Sequence, residues 1–222
     1  ELNMDGGNDA YLLADDGGAL LGGLTELTLE STFQIDDQDN EPGIFSYYVS
    51  SDEIRLRFDA SDHLRFKINN VNVTTTNTYS ELLDGNTHHV AVSWDNTNGD
   101  VSFYVDGQFV ERVTGLAVGH TIAAGGELAI GNDQDGLETG YKPEQTFYGT
   151  FHDVRVWSEV RSAAEIALNY QHKLDVTPAE AANIGLAANW QMDGFNGSGE
   201  VVDIVSGNNL SVGNLVERDI TG

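Results

Sequence analysis

Two acidic loops carry the residues best suited to hold a metal ion. Residues 36–41 have the sequence DDQDNE, and residues 131–145 have the sequence GNDQDGLETGYKPEQ. Carboxylate and amide oxygens are hard ligands, and Ca2+ takes about 6–8 of them in a flexible geometry. Neither loop contains histidine or cysteine, which favours calcium over zinc or copper. The alternative is that each loop is simply a solvated face of a very acidic chain.

The whole chain is acidic, with 36 Asp and Glu residues against 10 Lys and Arg residues and a formal net charge of −26. Nucleic-acid binding needs a basic surface and anionic membranes repel such a chain, so we expect no nucleic-acid partner. The absence of cysteine excludes disulfides, thiol catalysis and cysteine–zinc sites. No apolar stretch approaches the roughly 20 residues that span a bilayer, so membrane insertion is not expected.

Alternation of apolar and polar residues predicts short β-strands along most of the chain. The dipeptide Asp106-Gly107 is a strong signal for a tight hairpin between two of them. The predicted strands are residues 26–35, 54–58, 64–68, 89–94, 101–105, 108–113, 127–131, 148–157, 187–192 and 200–204.

One segment, residues 162–173 (SAAEIALNYQHK), has helical spacing instead. Ser162 followed three residues later by Glu165 forms a capping box. Short strands with regular turns and one short helix near 162–173 predict an all-β fold, a two-sheet antiparallel jelly-roll sandwich. Because no linker or composition break interrupts the chain, we expect residues 1–222 to form a single domain.

The two acidic loops resemble the calcium loops of pentraxins. Gln38-Asp39-Asn40-Glu41, followed by Ile44-Phe45, resembles the first loop of that family, and Gly131-Asn132-Asp133-Gln134-Asp135 resembles the second. The similarity covers roughly residues 25–192. It extends to the wider laminin-G-like and concanavalin A-like jelly rolls, and so it implies the same sandwich fold.

The pentraxin resemblance implies a set of ligands for one or two calcium ions. Gln134 would offer its backbone carbonyl, and the other ligands their side-chain oxygens. A glutamate of the family falls on Lys142 here, so either the second ion is lost or Glu138 or Glu144 replaces that ligand. The implied ligands are Asp39, Asn40, Asp133, Gln134, Asp135 and Gln145, with Glu138 and Glu144 as substitutes.

The disulfide of the animal family has no counterpart, because its two positions fall on Glu30 and Ala91. Cysteine-free, very acidic modules resemble those of long, calcium-dependent RTX-type adhesins of bacteria. This resemblance implies a monomeric module that is extracellular, on a bacterial cell surface.

In the related lectins, sugar hydroxyls complete the calcium shell. The resemblance therefore implies a calcium-dependent carbohydrate-binding module for host or algal glycans, with fucosylated glycans and phosphocholine as candidate ligands. Nearby aromatic rings would cover the apolar face of a sugar. The candidates are Phe45, Tyr47, Tyr48 and Tyr141, and we expect Tyr141 and one of Tyr47 and Tyr48 to be exposed.

Two other functions compete with the lectin hypothesis. One is a structural or protein-interaction spacer in which calcium only fixes the loops. The other is an enzyme, but a retaining glycosidase needs two carboxylates on one strand face, about 5–5.5 Å apart, and no suitable run is present. Nucleophile-elbow and zinc-protease motifs are also missing, so we do not expect catalysis.

Overall fold

The computed structural model describes residues 1–4, 10–14, 16–35, 41–50, 52–137 and 139–213. These ranges contain three short α-helices, α1 (Gly17–Leu21), α2 (Ala163–Asn169) and α3 (Pro178–Asn183). Single 3-10 turns occur at Ser80–Leu83 and Pro143–Gln145. The strands are β1 (Leu2–Met4), β2 (Tyr11–Ala14), β3 (Glu26–Ile35), β4 (Gly43–Val49), β5 (Asp52–Phe58), β6 (Leu64–Ile68), β7 (Val71–Thr74), β8 (Thr87–Asp95), β9 (Asp100–Val105), β10 (Gln108–Val113), β11 (Glu127–Ile130), β12 (Gly149–Trp157), β13 (Leu186–Phe195), β14 (Val201–Asp203) and β15 (Ser211–Gly213).

The strands form two antiparallel sheets. The first has the order β10–β9–β8–β3–β12–β13–β14, and β1 pairs with the start of β12. The second has the order β15–β2–β11–β4–β5–β6–β7. This architecture confirms the all-β, two-sheet antiparallel jelly-roll sandwich that the alternation of residues predicted.

The hydrophobic core lies between the two sheets. Phe33 of β3 packs edge to face against Phe58 and Phe147, with ring centroids 6.3 and 5.8 Å away. Trp94 and Trp190 are also fully buried, and each donates its indole N–H to a backbone carbonyl. Full burial of one such side chain contributes about 1.5–3 kcal/mol, so these rings fix how the sheets face each other.

The strands predicted from alternation are present, and three of them have the predicted bounds, namely β3, β6 and β10. Asp106 and Gly107 have φ values of 46° and 74°, as the predicted tight hairpin requires. Five strands are absent from the predicted set, namely β1, β2, β4, β7 and β15. β7 is mostly exposed, so it lacks the regular change between buried and exposed residues that a half-buried strand has.

The predicted helix is present but shorter than expected, because α2 ends at Asn169 instead of residue 173. Its capping box is confirmed, since Ser162 Oγ accepts from the Glu165 backbone N–H and Glu165 accepts from that of Ser162. The Arg155 guanidinium donates to the carbonyls of Asn169 and His172, which lie at and beyond the end of the helix, where backbone carbonyls lack an intrahelical partner.

Two further helices correct the expectation of a single one. α3 begins at a second capping box, formed by Thr177 and Glu180, and the sequence Thr-Pro-Ala-Glu carries that signal. α1 is capped by the Asp16 side chain. Among the described residues, no helix is long and apolar enough to cross a membrane.

The docking of α2 on the first sheet can be tested with two substitutions on that helix. Ile166 is fully buried against Ala91 and Tyr104, whereas Leu168 is 71% exposed. We expect Ile166→Ala to lower the free energy of unfolding by about 2–5 kcal/mol, and Leu168→Ala to change it by less than about 0.5 kcal/mol. Urea denaturation followed by circular dichroism measures both. Equal losses would contradict the packing of α2 described here.

Candidate functional site

The second acidic loop leaves β11 and packs across the end of β4. Gly131 donates its N–H to Ile44 and accepts from Phe147, which closes the loop at its base. A Cβ atom on Gly43 would lie 2.7 Å from the Asn132 carbonyl carbon, so glycine is needed for this close approach. The loop is therefore held by backbone contacts before any side chain is considered.

The structure brings the two acidic loops together where both are described. The Glu41 N–H, at the end of the first loop, donates to the Glu144 carbonyl in the 3-10 turn of the second, at 2.8 Å. The predicted ligands Asp39 and Asn40 lie outside the described residues, as does Glu138. Glu144, one of the two substitutes, has an exposed side chain.

Asp133 is fully buried and is neutralised by two arginines of β5. Its Oδ2 atom lies 2.5 Å from Arg55 Nη1 and 3.9 Å from Arg57 Nε. Arg57 also pairs with Glu41. Burial raises the pKa of the Asp133 carboxyl, and the Arg55 guanidinium opposes that rise. Without Arg55 and Arg57, this carboxylate would be an uncompensated buried charge.

Neighbouring amides fix the chain on both sides of Asp133. Asn132 accepts from the Asp133 N–H at 2.8 Å and donates to Thr146 Oγ1 at 3.0 Å. The Gln134 N–H donates to Ser46 Oγ at 3.1 Å, and its side-chain amide donates to the Glu127 carbonyl at 2.8 Å. The loop is thereby rigid, which a preorganised binding site requires.

Three buried side-chain oxygen atoms of the predicted ligand residues lack a hydrogen-bond partner among the described residues, although the ligand atom predicted for Gln134 is its backbone carbonyl. They are Asp133 Oδ1, Gln134 Oε1 and Gln145 Oε1. Buried acceptors are normally satisfied by a donor or a cation, and oxygen atoms alone suit a hard cation such as Ca2+. These oxygens fit a calcium ion only together with ligands from residues 36–40, because the described residues contain no group of three His, Cys, Asp or Glu side chains that could hold a metal ion.

Asp135 is engaged differently, by a cation of the chain itself. Its Oδ2 atom lies 2.7 Å from Lys142 Nζ, and both side chains are nearly half exposed. This hydrogen bond raises the pKa of Lys142. Lys142 stands where the pentraxin resemblance places a glutamate, so an ammonium group occupies the surroundings of Asp135 that a second calcium ion would need.

Burial excludes two of the four aromatic candidates for ligand binding. Phe45 and Tyr47 are buried, so neither ring can cover a sugar. Tyr47 faces the interior because its hydroxyl donates to the Ala123 carbonyl at 2.6 Å and accepts from the Gly126 N–H at 3.0 Å. Phe45 is opposite the core residue Leu56 across a register shift that follows Gly43.

Tyr48 and Tyr141 are half-buried and leave part of each ring accessible. Tyr141 stacks on Tyr11 of β2, with ring centroids 3.7 Å apart and an interplanar angle of 14°. The stack attaches the outer part of the second acidic loop to the second sheet. Of the four aromatic candidates, these two remain available to a ligand.

Sequence reasoning missed the arginines that bind Asp133. The alternation in residues 54–58 places Arg55 and Arg57 on the face opposite the core residues Ile54 and Leu56, which could have been predicted. Their contact with Asp133 could not, since 78 residues separate it from Arg55. Only the assembled sheet brings β5 beneath the loop.

The fold and the loops define a class of protein. A model of the concanavalin A-like lectin/glucanases superfamily, Laminin_G_3, matches residues 5–167. The chain belongs to this family.

Pentraxins are among its curated relatives. The chain is 35% identical over 85 residues to a mouse protein that contains Sushi, von Willebrand factor type A, EGF and pentraxin domains, covering 38% of this chain but only 2% of that protein. It is 25% identical over 182 residues to C-reactive protein 1.1 of Limulus polyphemus, covering 81% of this chain and 74% of that protein.

A solved structure resembles the whole chain. It is that of a candidate carbohydrate-binding protein from Bacteroides ovatus, 22% identical, with a TM-score of 0.71 over 99% of this chain and 58% of that one. At this identity the likeness shows that the two proteins share a fold.

The role of Arg55 can be tested by removing its charge. Arg55→Met leaves the Asp133 carboxylate buried without its nearest cation, so we expect the free energy of unfolding to fall by about 3 kcal/mol in chelator. The matched control is Arg112→Met. Arg112 is 56% exposed and lies 3.8 Å from Asp100, so its ion pair is weak, and this substitution should lower the free energy of unfolding by less than about 1 kcal/mol.

The same pair of variants reports on calcium. If the ion binds beside Asp133, millimolar calcium should restore part of the stability lost by Arg55→Met, because the ion supplies the missing positive charge. It should stabilise Arg112→Met no more than the parent protein. Urea denaturation with and without calcium measures these differences, and equal costs for the two variants in chelator would contradict the described ion pair.

Proposed function

We propose that this chain is a calcium-dependent carbohydrate-binding module. Membership of a lectin superfamily and a fold shared with a candidate carbohydrate-binding protein support carbohydrate binding in general. The observation that supports calcium is the set of buried oxygens without a described hydrogen-bond partner, at Asp133, Gln134 and Gln145. They lie in the loop that resembles the second calcium loop of pentraxins.

In this proposal the chain holds one ion. Asp133 and Gln145 contribute side-chain oxygens, and Asp39 and Asn40 complete the set from the first loop. Calcium would supply open coordination positions for the vicinal hydroxyls of a sugar. Asp135 remains paired with Lys142 at the rim of the site, where it orients the loop.

The protein residues around the ion would determine how a sugar is oriented. The accessible edges of Tyr48 and Tyr141 can contact its apolar face. The Arg55–Asp133 pair keeps the carboxylate in place, so the site needs little rearrangement when a ligand binds. Fucosylated glycans fit this description, because fucose carries adjacent hydroxyls together with an apolar methyl group.

The proposed setting is extracellular, as one monomeric module of a bacterial surface adhesin of the RTX type that grips host or algal glycans. We further propose that residues 1–222 act as a single domain. Leu2 and Leu210 belong to the same buried cluster, which supports one continuous core. The role is binding and not catalysis.

The alternative is a spacer module with purely structural calcium. The pairing of Asp133 with Arg55 and of Asp135 with Lys142 favours a spacer, because ion pairs within the chain already fix the loop. The two functions differ in whether calcium changes ligand binding or only stability.

A glycan array in millimolar calcium and again in chelator separates them. The lectin hypothesis predicts glycan signals that are lost in chelator, and loss of the same signals in Gln145→Ala, which removes a ligand oxygen. The control is Gln108→Ala, the same change at an exposed position of β10, which should keep every signal. A blank array in calcium, together with a calcium-dependent melting temperature, would refute the lectin and favour the spacer.

A further inference from the structure

A cleft of about 590 Å3 opens on the outer face of the first sheet. Its floor consists of Thr32 of β3, His89 of β8, and Asp153 and Arg155 of β12, which alternate with core residues along their strands. The turn after α2, residues 170–173, forms one wall. The volume is within the range of small-molecule sites, and neither acidic loop contributes to the lining.

Ionisable groups are buried beneath this cleft at unusual density. Arg155 lies 2.5 Å from Asp153 and 3.8 Å from Glu30, and His89 Nε2 lies 3.0 Å from Glu30 Oε2. All four residues are at most 5% exposed. Burying so many charged side chains on the outer face of a sheet costs free energy even when they are paired. Neutral polar side chains at the same positions would not carry this cost. Such an arrangement in a cleft is typical of a binding site.

The surroundings of the cleft also shift pKa values in opposite directions. Burial raises the pKa of Asp153, which Arg155 only partly offsets. Burial would likewise raise the pKa of Glu30, but the His89 hydrogen bond and the Arg155 charge lower it. Burial lowers the pKa of His152 on the rim. Perturbed titrating groups are thus concentrated around one cavity.

Two floor residues retain polar atoms with no hydrogen-bond partner in the described ranges, namely Arg155 Nε and His89 Nδ1. Both atoms are buried, so the polar contacts to a ligand come instead from exposed lining residues, namely Thr87, Gln171 and His172. The Thr87 hydroxyl and the Gln171 carboxamide can each donate and accept hydrogen bonds, as the hydroxyl groups of a sugar require.

Ion pairs within the protein already engage the charged side chains at the cleft, which favours a neutral ligand. Arg155 is neutralised by Asp153 and Glu30, and Lys173 pairs with Asp193. Asp106 accepts from His88 at 3.0 Å. No group of three His, Cys, Asp or Glu side chains that could hold a metal ion occurs in the described part of the chain, the cleft included.

One wall supplies apolar surface. The Tyr170 ring is half-buried, with its centroid 5.7 Å from that of His89. Gly107 allows this packing, because a Cβ atom there would come 2.4 Å from Tyr170 Cδ1. An aromatic ring beside matched donors and acceptors is the arrangement that a sugar ring requires.

We propose that this cleft is a second binding site, independent of calcium, for a neutral saccharide unit. The proposal does not rest on the calcium site at the acidic loops. If both sites bind, one module has two points of attachment to a glycan, on different sheets.

The test is a titration of the 15N-labelled protein with the methyl glycosides of glucose, galactose, mannose and fucose, in excess EDTA. We expect at least one glycoside to shift amide signals of Thr32, His89 and residues 170–173. Thr87→Trp places a bulky ring at the exposed rim of the cleft without removing any described contact of the floor, and it should weaken binding by about tenfold or more.

Two controls assign the result to the cleft. Gln145→Ala, which alters only the acidic loop, should leave these EDTA-resistant shifts unchanged. Tyr170→Ala should abolish them while the melting curve confirms folding, and Thr87→Trp serves if that variant is unstable. Absence of cleft shifts with all four glycosides would overturn the proposal. So would cleft shifts seen only with charged sugars such as glucuronate or glucosamine.

Discussion

The buried ion pair between Arg55 and Asp133 is the contact on which the candidate site depends. It joins the loop after β11 to a strand of the second sheet and neutralises a carboxylate that is fully buried. The flanking amides of Asn132 and Gln134 can hold the loop only while that carboxylate is tolerated. If it were unpaired in this low-dielectric position, the carboxylate would take up a proton, or the loop would move so that the carboxylate reaches solvent.

The need to satisfy a buried carboxylate also explains other charged clusters in the protein. A chain with 36 acids and 10 bases can bury a carboxylate where a cation or several N–H donors reach it. Arg155 does so beneath the cleft of the first sheet, and Lys67 does so at the buried Glu53 of β5. Asp203 is also buried and accepts hydrogen bonds from several backbone N–H groups instead. Salt screens the repulsion between the acids that stay on the surface.

Much of the fold could be predicted from the sequence, because alternation and turn chemistry depend only on residues that are close together in the chain. β3 and β10 have the predicted bounds, and the Asp106-Gly107 turn has the expected backbone. Alternation gives two faces of a strand, however, and does not say which one is inside. The sequence therefore left open which of Tyr47 and Tyr48 is accessible, and the structure selects Tyr48. Phe45 faces the core together with its strand partner Leu56.

The candidate site was less predictable than the fold. Resemblance to calcium loops selected Asp133 and Gln145, whose oxygens are indeed left without described partners. It gave no indication of Arg55, because that contact depends on how distant strands assemble. Lys142 was visible in the sequence as a departure from the family pattern, but its pairing with Asp135 required the geometry of the loop.

The pairing of the last described strand with β2 has a mechanical consequence. β15 is held by three residue pairs, and Gly213, the last, lies beneath the Tyr11 ring. Tyr11 in turn stacks on Tyr141 of the acidic loop. Gly213 of β15 is opposite Tyr11, so tension on the C-terminal end of the chain peels the strand from that pair first. Of the three pairs that hold β15, the first to open under load is thus the one that supports the aromatic edge of the loop.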